Sequence, residues 1–367
     1  MITLTFAFLI STLLVLLLIR YQQTHQHISL DSELNAIQKF HAVPVPRIGG
    51  LGVFIGCVSA LCIKKFLDGT YNSFPLLLVA VASPTFLIGL LEDVTKKISV
   101  SQRLTVTALS AGVGVLFLDI RLTHLDVVMV DSLLLFFWVS VVVTCFAVSG
   151  VANAFNLIDG FNGLSAGVAS IILFGLLYVA HGLLDQDIVI ISLSLLGAVL
   201  GFALWNYPRG LIFLGDGGAY FIGFMIAELS VWIVKRHSEV SPWFPLLLVY
   251  YPIVETIFTI FRRRFIKRVS IGAPDASHLH QLIHRRLIKT KFETNQSIDI
   301  RISQNSATSP YLWLMCLLSV IPAVLFYRNT QALMLCTFVY SVFYVVVYQG
   351  MTRRRLPRWL MIHKNKN

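Results

Sequence analysis

Charged residues are scarce in this chain. Asp, Glu, Lys and Arg make up 13% of its 367 residues, and hydrophobic residues make up 56%. The mean hydropathy is +0.78. Roughly a quarter of the residues of a soluble domain are charged, so this composition excludes an ordinary soluble protein. Because a helix needs about 20 apolar residues to cross a bilayer, the repeated apolar stretches predict a membrane protein.

Cysteine is also scarce, and we find no internal repeat. The five cysteines lie in apolar stretches and form no CxxC pair; they are Cys57, Cys62, Cys145, Cys316 and Cys336. We expect them to be small apolar core residues, with disulfides or a metal site as the weaker alternatives. The lack of a repeat argues against the transporter folds that are built from paired halves.

Positive charge is in excess, with a net charge of +11. In a soluble protein such an excess would indicate nucleic acid as a partner. Here most of the 29 Lys and Arg residues fall in alternate loops beside apolar stretches, which the positive-inside rule explains. We therefore expect a lipid bilayer, and no nucleic acid, as a partner.

The apolar stretches predict an all-α fold, a polytopic membrane helical bundle with about 11 transmembrane helices. We place them at residues 2–19, 49–63, 74–91, 104–118, 133–149, 163–180, 188–204, 217–234, 242–261, 310–327 and 331–350. The basic loops predict that the N-terminus lies outside and the C-terminus in the cytoplasm. Residues 1–350 then form one membrane-embedded domain, which includes a cytoplasmic loop at 262–309, and residues 351–367 form a basic tail.

All the polar clusters fall on the predicted cytoplasmic side. They occupy residues 41–50, 92–103, 153–162, 205–217 and 262–301. A channel or transporter would place polar groups near the bilayer midplane. The one-sided arrangement favours an enzyme whose site lies at the cytoplasmic surface of the membrane.

Two acidic segments are candidates for binding a cation or a phosphate. Glu92 and Asp93 are adjacent at the end of the third span, where they repel each other unless a cation or hydrogen-bond donors offset the charge; a solvated helix end is the alternative. Asp216 lies among glycines at the start of the eighth span. Helix N-termini bind anions and a carboxylate suits Mg²⁺, but simple helix capping is the alternative.

The most specific segment, residues 153–164, lies between the fifth and sixth spans. Asn153, Asn156 and Asp159 lie beside apolar helices, where polar groups are costly without partners. Asn156 and Asp159 are three residues apart and share a face if this segment is helical, and Gly160 permits close approach of the backbone to a ligand. An ordinary turn is the alternative.

Three histidines, His278, His280 and His284, lie beside Arg285 and Arg286 in the last large loop. Zinc is one interpretation, but no cysteine is near and the spacing lacks the Glu of HExxH. We favour charge-assisted hydrogen bonds to a diphosphate, with a solvated basic surface as the other alternative.

Two isolated residues are further candidates. Arg47 follows the stiff segment Pro44-Val45-Pro46 and is a candidate contact for a phosphate or a lipid headgroup. Glu255 lies inside the ninth span, where an ionisable group is a functional candidate because it is costly to retain.

Together these motifs, in this order, resemble those of the polyprenyl-phosphate N-acetylhexosamine-1-phosphate transferases, known as glycosyl transferase family 4. The resembling segments are Pro46–Gly50, Glu92-Asp93, Asn153–Leu164, Leu214–Ala219, Tyr251–Arg263 and His278–His280.

This chain departs from the family pattern at three positions. Glu92 stands in place of an Asp, Asn162 where many members have a second Asp, and Ala219 in place of a Ser. We therefore assign no metal or base role to Asn162. With an eleventh span, these departures favour the aminosugar branch, which starts O-antigen, teichoic acid or related glycans, over peptidoglycan synthesis.

The resemblance implies that a polyprenyl-phosphate oxygen attacks the β-phosphorus of a UDP-N-acetylhexosamine and that UMP leaves. Undecaprenyl phosphate is the implied acceptor, at the cytoplasmic face of the inner membrane. Mg²⁺ is the implied cofactor, with Mn²⁺ as an alternative, held by Asp216 with Asp159 assisting. Asp93, with Glu92, is the proposed base, although a lipid phosphate with a second pKa near 6 leaves the need for one open.

The remaining polar residues are expected to bind substrate. Asn156 would position a phosphate or the uridine diphosphate, and the other candidates are Arg47, Arg103, Asn153, His278, His280 and His284. A peptidoglycan-type transferase and a lipid or sugar transporter are the alternative functions. The aminosugar, the polyprenyl length and the oligomeric state, monomer or homodimer, stay open.

Overall fold

The computed structural model describes residues 1–23, 30–31, 45–69, 72–267, 277–288 and 297–353. The strands β1 (Leu30–Asp31) and β2 (Val45–Pro46) pair antiparallel. Short π-helices cover Arg262–Lys267 and His284–Ile288. The α-helices in chain order are α1 (Ile2–Arg20), α2 (Gly50–Asp68), α3 (Phe74–Thr95), α4 (Val100–Leu118), α5 (Val128–Leu134), α6 (Phe137–Ile158), α7 (Leu164–Gly182), α8 (Gln186–Asn206), α9 (Gly215–Arg236), α10 (Trp243–Leu248), α11 (Tyr250–Phe261), α12 (Leu279–Ile283), α13 (Ile298–Ser306), α14 (Ser309–Leu325) and α15 (Thr330–Arg353).

Within these ranges, 10 helical stretches are long and apolar enough to cross a membrane, with α13 and α14 counted as one. This confirms the predicted all-α polytopic membrane bundle. Which side of the membrane each terminus occupies stays a prediction.

The ninth predicted span, residues 242–261, is not one continuous helix. Here α10 ends at Leu248 and α11 begins at Tyr250, with Val249 between them at φ −98° and ψ 18°. Pro252 has no N–H to donate to the Leu248 carbonyl, and its ring crowds that group. Two short helices therefore replace the expected single span.

Parts of the predicted loops lie outside the described residues. They are residues 41–44 of the first polar cluster, 268–276 and 289–296 of the loop 262–309, and 354–367 of the basic tail. The described part of that loop contains α12 and α13.

The centre of the bundle is α9, whose apolar window is 100% buried. The helices α2, α3 and α6 pack against it. A Cβ on Gly89 would lie 2.6 Å from the Gly217 Cα, and a Cβ on Gly50 would lie 2.5 Å from the Gly218 Cα. Glycine pairs therefore let α2 and α3 approach the first turn of α9 backbone to backbone.

Gly89→Ala is expected to destabilise the fold, because the added methyl group must push α3 away from α9, and overpacking costs about 1–3 kcal/mol. Thermal unfolding of the purified protein in detergent measures this. Gly150→Ala is the matched control: Gly150 also lies inside a spanning helix, but a Cβ there has no atom within 4 Å. An unchanged unfolding temperature for Gly89→Ala would contradict the close contact.

Candidate active site

Four helix ends and one strand bring the predicted polar segments to one end of the bundle. Asp93 lies in the last turn of α3, and Arg103 lies in the first turn of α4. Asp159 follows the end of α6, Asp216 lies in the first turn of α9, and Arg47 follows β2. Each side chain is therefore placed by the start or end of a rigid element.

A carboxylate from α3 holds the N-terminus of α9. Asp93 Oδ1 accepts the N–H of Asp216 at 2.9 Å, and Oδ2 accepts that of Gly217 at 3.0 Å. The first N–H groups of a helix have no partner within it, and the helix dipole favours a negative charge at this end. Asp93, which is buried, therefore caps α9 with both of its oxygens engaged.

Gly215 is needed for this cap. Its φ is +77°, in the left-handed region that favours glycine. A Cβ at this position would overlap the Arg47 carbonyl oxygen and the Asp93 carboxylate. No other residue fits here without moving the groups that form the site.

Backbone pairing fixes Arg47 beside the cap. The Gly49 N–H donates to the Phe213 carbonyl at 2.9 Å, so the segment after β2 runs along the residues that precede α9. Arg47 Nη2 then donates to Asp216 Oδ1 at 3.0 Å and lies 3.8 Å from Asp93 Oδ1.

A second arginine reaches Asp216 from α4. Ser99 and Gln102 form a capping box that starts this helix, which satisfies two free N–H groups. Arg103, the next residue, forms an ion pair with Asp216 Oδ2. Its guanidinium lies 5.5 Å from the centre of the Tyr220 ring. Each carboxylate oxygen of Asp216 therefore faces an arginine.

Asn153 joins the site through Tyr220, whose hydroxyl donates to Asn153 Oδ1 at 2.9 Å. Sequence reasoning missed Tyr220. The signal was its position four residues after Asp216, which places both side chains on one face of α9.

Asp159 and Asn156 differ from these groups, because in the described part of the chain no hydrogen bond or ion pair engages their side chains. The Asp159 side chain is half-buried. This burial raises the pKa of Asp159 to about 7, against the opposing effect of the Arg47 charge. Two oxygen-bearing side chains without partners are suited to a cation or a polar substrate group.

Asn162 has structural contacts. Its side-chain nitrogen donates to the Pro208 carbonyl at 3.0 Å and lies 3.3 Å from Ser306 Oγ. Its N–H donates to Asn305 Oδ1 at 2.8 Å, and its carbonyl accepts the Ser309 hydroxyl at 2.6 Å. These bonds tie the turn after α6 to α13 and α14.

The histidine segment packs on the same turn. The centres of the His280 and His284 rings lie 5.5 and 5.3 Å from that of Phe161. His280 Nε2 faces Gly160, and the His278 ring stacks on His280 at 5.2 Å. The structure therefore brings His278 and His280 next to the turn that carries Asp159.

His280 differs from the expectation of a charged histidine. Burial and the neighbouring His278 lower the pKa of His280 to about 3, so its ring is neutral at pH 7. Any hydrogen bond that it gives to a diphosphate is therefore strengthened by the charge of the phosphate alone. Among the described residues, no group of three His, Cys, Asp or Glu side chains is arranged to hold a metal ion, so nothing there supports the zinc interpretation.

Glu92 points away from Asp93. Its Oε2 accepts the Ile98 N–H at 2.7 Å and closes the turn between α3 and α4. The two neighbouring carboxylates do not form a pair at one site, and Glu92 shapes the turn that leads to Arg103.

Comparison with known proteins identifies the family. A model described as Glycosyl transferase family 4 matches residues 75–234, which carry Asp93, Arg103, Asp159 and Asp216. This chain belongs to glycosyl transferase family 4.

Relatives in this family are similar over most of the chain. The chain is 30% identical over 248 residues to the probable undecaprenyl-phosphate N-acetylglucosaminyl 1-phosphate transferase of Bacillus subtilis, an alignment that covers 66% of each protein. It is 29% identical over 299 residues to the decaprenyl-phosphate N-acetylglucosaminephosphotransferase of Mycobacterium tuberculosis, covering 71% of this chain and 73% of the relative. For the undecaprenyl-phosphate alpha-N-acetylglucosaminyl 1-phosphate transferase of Thermotoga maritima the identity is 28% over 254 residues, covering 69% and 73%.

Asp93→Asn is expected to lower the unfolding temperature. An amide accepts one of the two N–H groups of α9 and turns its own donor towards the other, and losing a hydrogen bond to a charged group costs about 1.5–3 kcal/mol. Glu92→Gln is the matched control, because its amide oxygen can still accept the Ile98 N–H. An Asp93→Asn protein as stable as Glu92→Gln would contradict the capping role.

Proposed function

We propose that this chain transfers an N-acetylhexosamine 1-phosphate from a UDP-sugar to undecaprenyl phosphate and releases UMP. The observation that carries this proposal is Asp216 between Arg47 and Arg103 at the N-terminus of α9, with the unpartnered Asp159 carboxyl group within range of the Arg47 charge. The names of its relatives support the transfer of a sugar phosphate to a polyprenyl phosphate.

Charge is the main physical problem of this reaction, because two anionic phosphates must meet. Positively charged groups have to neutralise and orient them for in-line transfer. Arg47 and Arg103 supply two such groups, and both already converge on one carboxylate. A phosphate entering the site can exchange with that carboxylate for the same N–H donors.

The carboxylates of the site suit Mg²⁺. This ion is commonly held by one or two carboxylates together with waters and substrate phosphates, and Asp216 and Asp159 are the carboxylates that would hold it. The lack of partners for Asp159 leaves its oxygens available. When bound, the ion would polarise phosphoryl oxygens and offset their charge; Mn²⁺ is the alternative ion.

We assign Asp93 a positioning role in place of the base role that the sequence suggested. Both of its oxygens already accept N–H groups of α9. A phosphate monoester has a second pKa of about 6 and is mostly a dianion at neutral pH, so the acceptor oxygen can attack without a base.

The sugar nucleotide is assigned to the other polar groups of the site. Asn153, Asn156, His278 and His280 would contact it, and N-acetylglucosamine is the first sugar to test because the relatives are named for it. The reaction would take place at the cytoplasmic face of the inner membrane and would start an O-antigen or another cell-envelope polysaccharide.

Release of UMP tests this function. Purified protein is incubated with undecaprenyl phosphate, Mg²⁺ and a panel of UDP-N-acetylhexosamines. We expect UMP that depends on both lipid and metal, and the active donor identifies the sugar. Release with a UDP-muramoyl-pentapeptide would favour the peptidoglycan-type reaction, and folded protein that releases no UMP from any donor would contradict the proposal.

In the same assay, Asp216→Asn is expected to lower kcat at least about 100-fold, because the two arginines lose their common anion and the metal loses a ligand. Asp119→Asn is the matched control. Asp119 also contacts two cationic groups, Arg121 at 2.9 Å and Lys235 at 3.1 Å, but it lies at the opposite end of α4. Equal activity of the two variants would contradict the assignment of Asp216.

Metal affinity is expected to rise with pH, because the pKa of Asp159 is about 7. Below that pH a proton competes with the ion for the carboxylate, and affinity falls by up to about tenfold per pH unit. Mn²⁺ binding without substrate, followed by electron paramagnetic resonance, measures this. Asp159→Asn should bind more weakly and lose the pH dependence, whereas a flat profile for the wild type would contradict the ligand role.

A further inference from the structure

A buried carboxylate lies beneath the histidine segment. Glu255 in α11 is fully buried. Its Oε1 accepts the Leu279 N–H at 2.9 Å and lies 3.3 Å from His278 Nδ1, and its Oε2 accepts the Tyr344 hydroxyl at 2.7 Å. A buried charge is tolerated when donors surround it. These three groups therefore fix the carboxylate in place, and the carboxylate in turn holds His278.

Glu255 also determines the tautomer of His278, and therefore which ring nitrogen is available to a ligand. A carboxylate only accepts hydrogen bonds, so the Nδ1 atom that faces it carries the proton. The hydroxyl of Thr259 lies 3.2 Å from the same nitrogen. Nε2 is then the nitrogen left for substrate. Partners of this kind commonly set the tautomer and the orientation of a functional histidine.

Helix α15 completes the arrangement. Tyr344 and Tyr348 are four residues apart and share one face of α15. The Tyr348 hydroxyl donates to the Ser277 carbonyl at 3.0 Å, just before the first histidine, while Tyr344 holds Glu255. These residues, like Glu255 itself, lie outside the stretch 75–234 that the family model matches.

We propose that Glu255 and Tyr344 are positioning residues that hold His278 with its Nε2 towards the UDP-sugar, so that α11 and α15 form part of the donor site. This inference rests on the proposed function and adds to it an arrangement that controls binding of the donor. A purely structural role would change stability alone. A positioning role also changes the KM for the UDP-sugar, and it does so only while His278 is present.

Tyr344→Phe removes one hydroxyl and keeps the ring. We expect the KM for UDP-N-acetylglucosamine, or for the donor that proves active, to rise about tenfold, as expected for one lost hydrogen bond to a charged group, while kcat changes less than about twofold. Tyr340→Phe is the matched control: Tyr340 is buried one turn away on the same helix and donates to the Met315 carbonyl at 3.1 Å. Equal KM values for the two variants would overturn the inference.

A double variant separates positioning from packing. In a His278→Gln protein, Tyr344→Phe should have no further effect on KM, because it acts through His278. If the increase in KM of the double variant instead equalled the product of the two single increases, the inference would be overturned. The unfolding temperatures of Tyr344→Phe and Tyr340→Phe should fall by similar amounts.

A measurement on the protein without substrate tests the position of His278 independently of the proposed reaction. In protein labelled with nitrogen-15 histidine, the Nδ1–H resonance of His278 is identified by its absence from His278→Gln. It should be shifted downfield by Glu255 in the wild type and move upfield in Glu255→Gln. An identical resonance in both proteins would overturn the inference even if UMP is released. The expected shift in a wild-type protein that releases no UMP would count against the proposed function alone.

Discussion

The N-terminus of α9 is buried, and the rest of the site depends on how its free N–H groups are satisfied. Neighbouring helices surround α9 along its length, and an unpaired buried N–H costs roughly 1–3 kcal/mol. The Asp93 carboxylate satisfies two of these groups. Its own charge needs compensation in turn, which comes from the helix dipole and from Arg47 at 3.8 Å. Asp216 donates one of the two N–H groups, so the same cap fixes the backbone of the residue on which both arginines converge.

Packing and electrostatics are inseparable at this end of the bundle. The cap requires α3 to lie close enough to α9 for a short aspartate side chain to reach its first turn, and the contact between Gly89 and Gly217 allows that approach. Gly215, at φ +77°, leaves space for the Arg47 carbonyl and the Asp93 carboxylate. A side chain at Gly89 or at Gly215 would push the packed groups apart, and the hydrogen bonds of the cap would lengthen as a result. The glycines are thus part of the electrostatic arrangement even though they carry no charge.

The amino-acid sequence was sufficient to predict the bundle, because a bilayer imposes helix length and excludes unpaired polar groups. Asp159 and Asp216 were predictable for the same reason: polar residues at the ends of apolar helices are conspicuous. The break before Pro252 was not predicted, since hydropathy stays high across it. The separate roles of Glu92 and Asp93 were also not predictable. They depend on where each carboxylate points at the end of α3, and only the neighbouring helix determines that.

The site contains two pairs of similar residues. In each pair, one side chain has hydrogen-bond partners, and the other leaves polar atoms without a partner among the described residues. Asp93 accepts two N–H groups of α9, whereas the Asp159 carboxyl group has no hydrogen-bond partner in the described part of the chain. His278 Nδ1 faces Glu255, whereas His280 Nδ1 has no hydrogen-bond partner among the described residues. A satisfied group stabilises the fold and gains little from a ligand. An unsatisfied polar group away from water destabilises the fold, so a ligand that paired with such a group would gain more binding energy there than at a satisfied one.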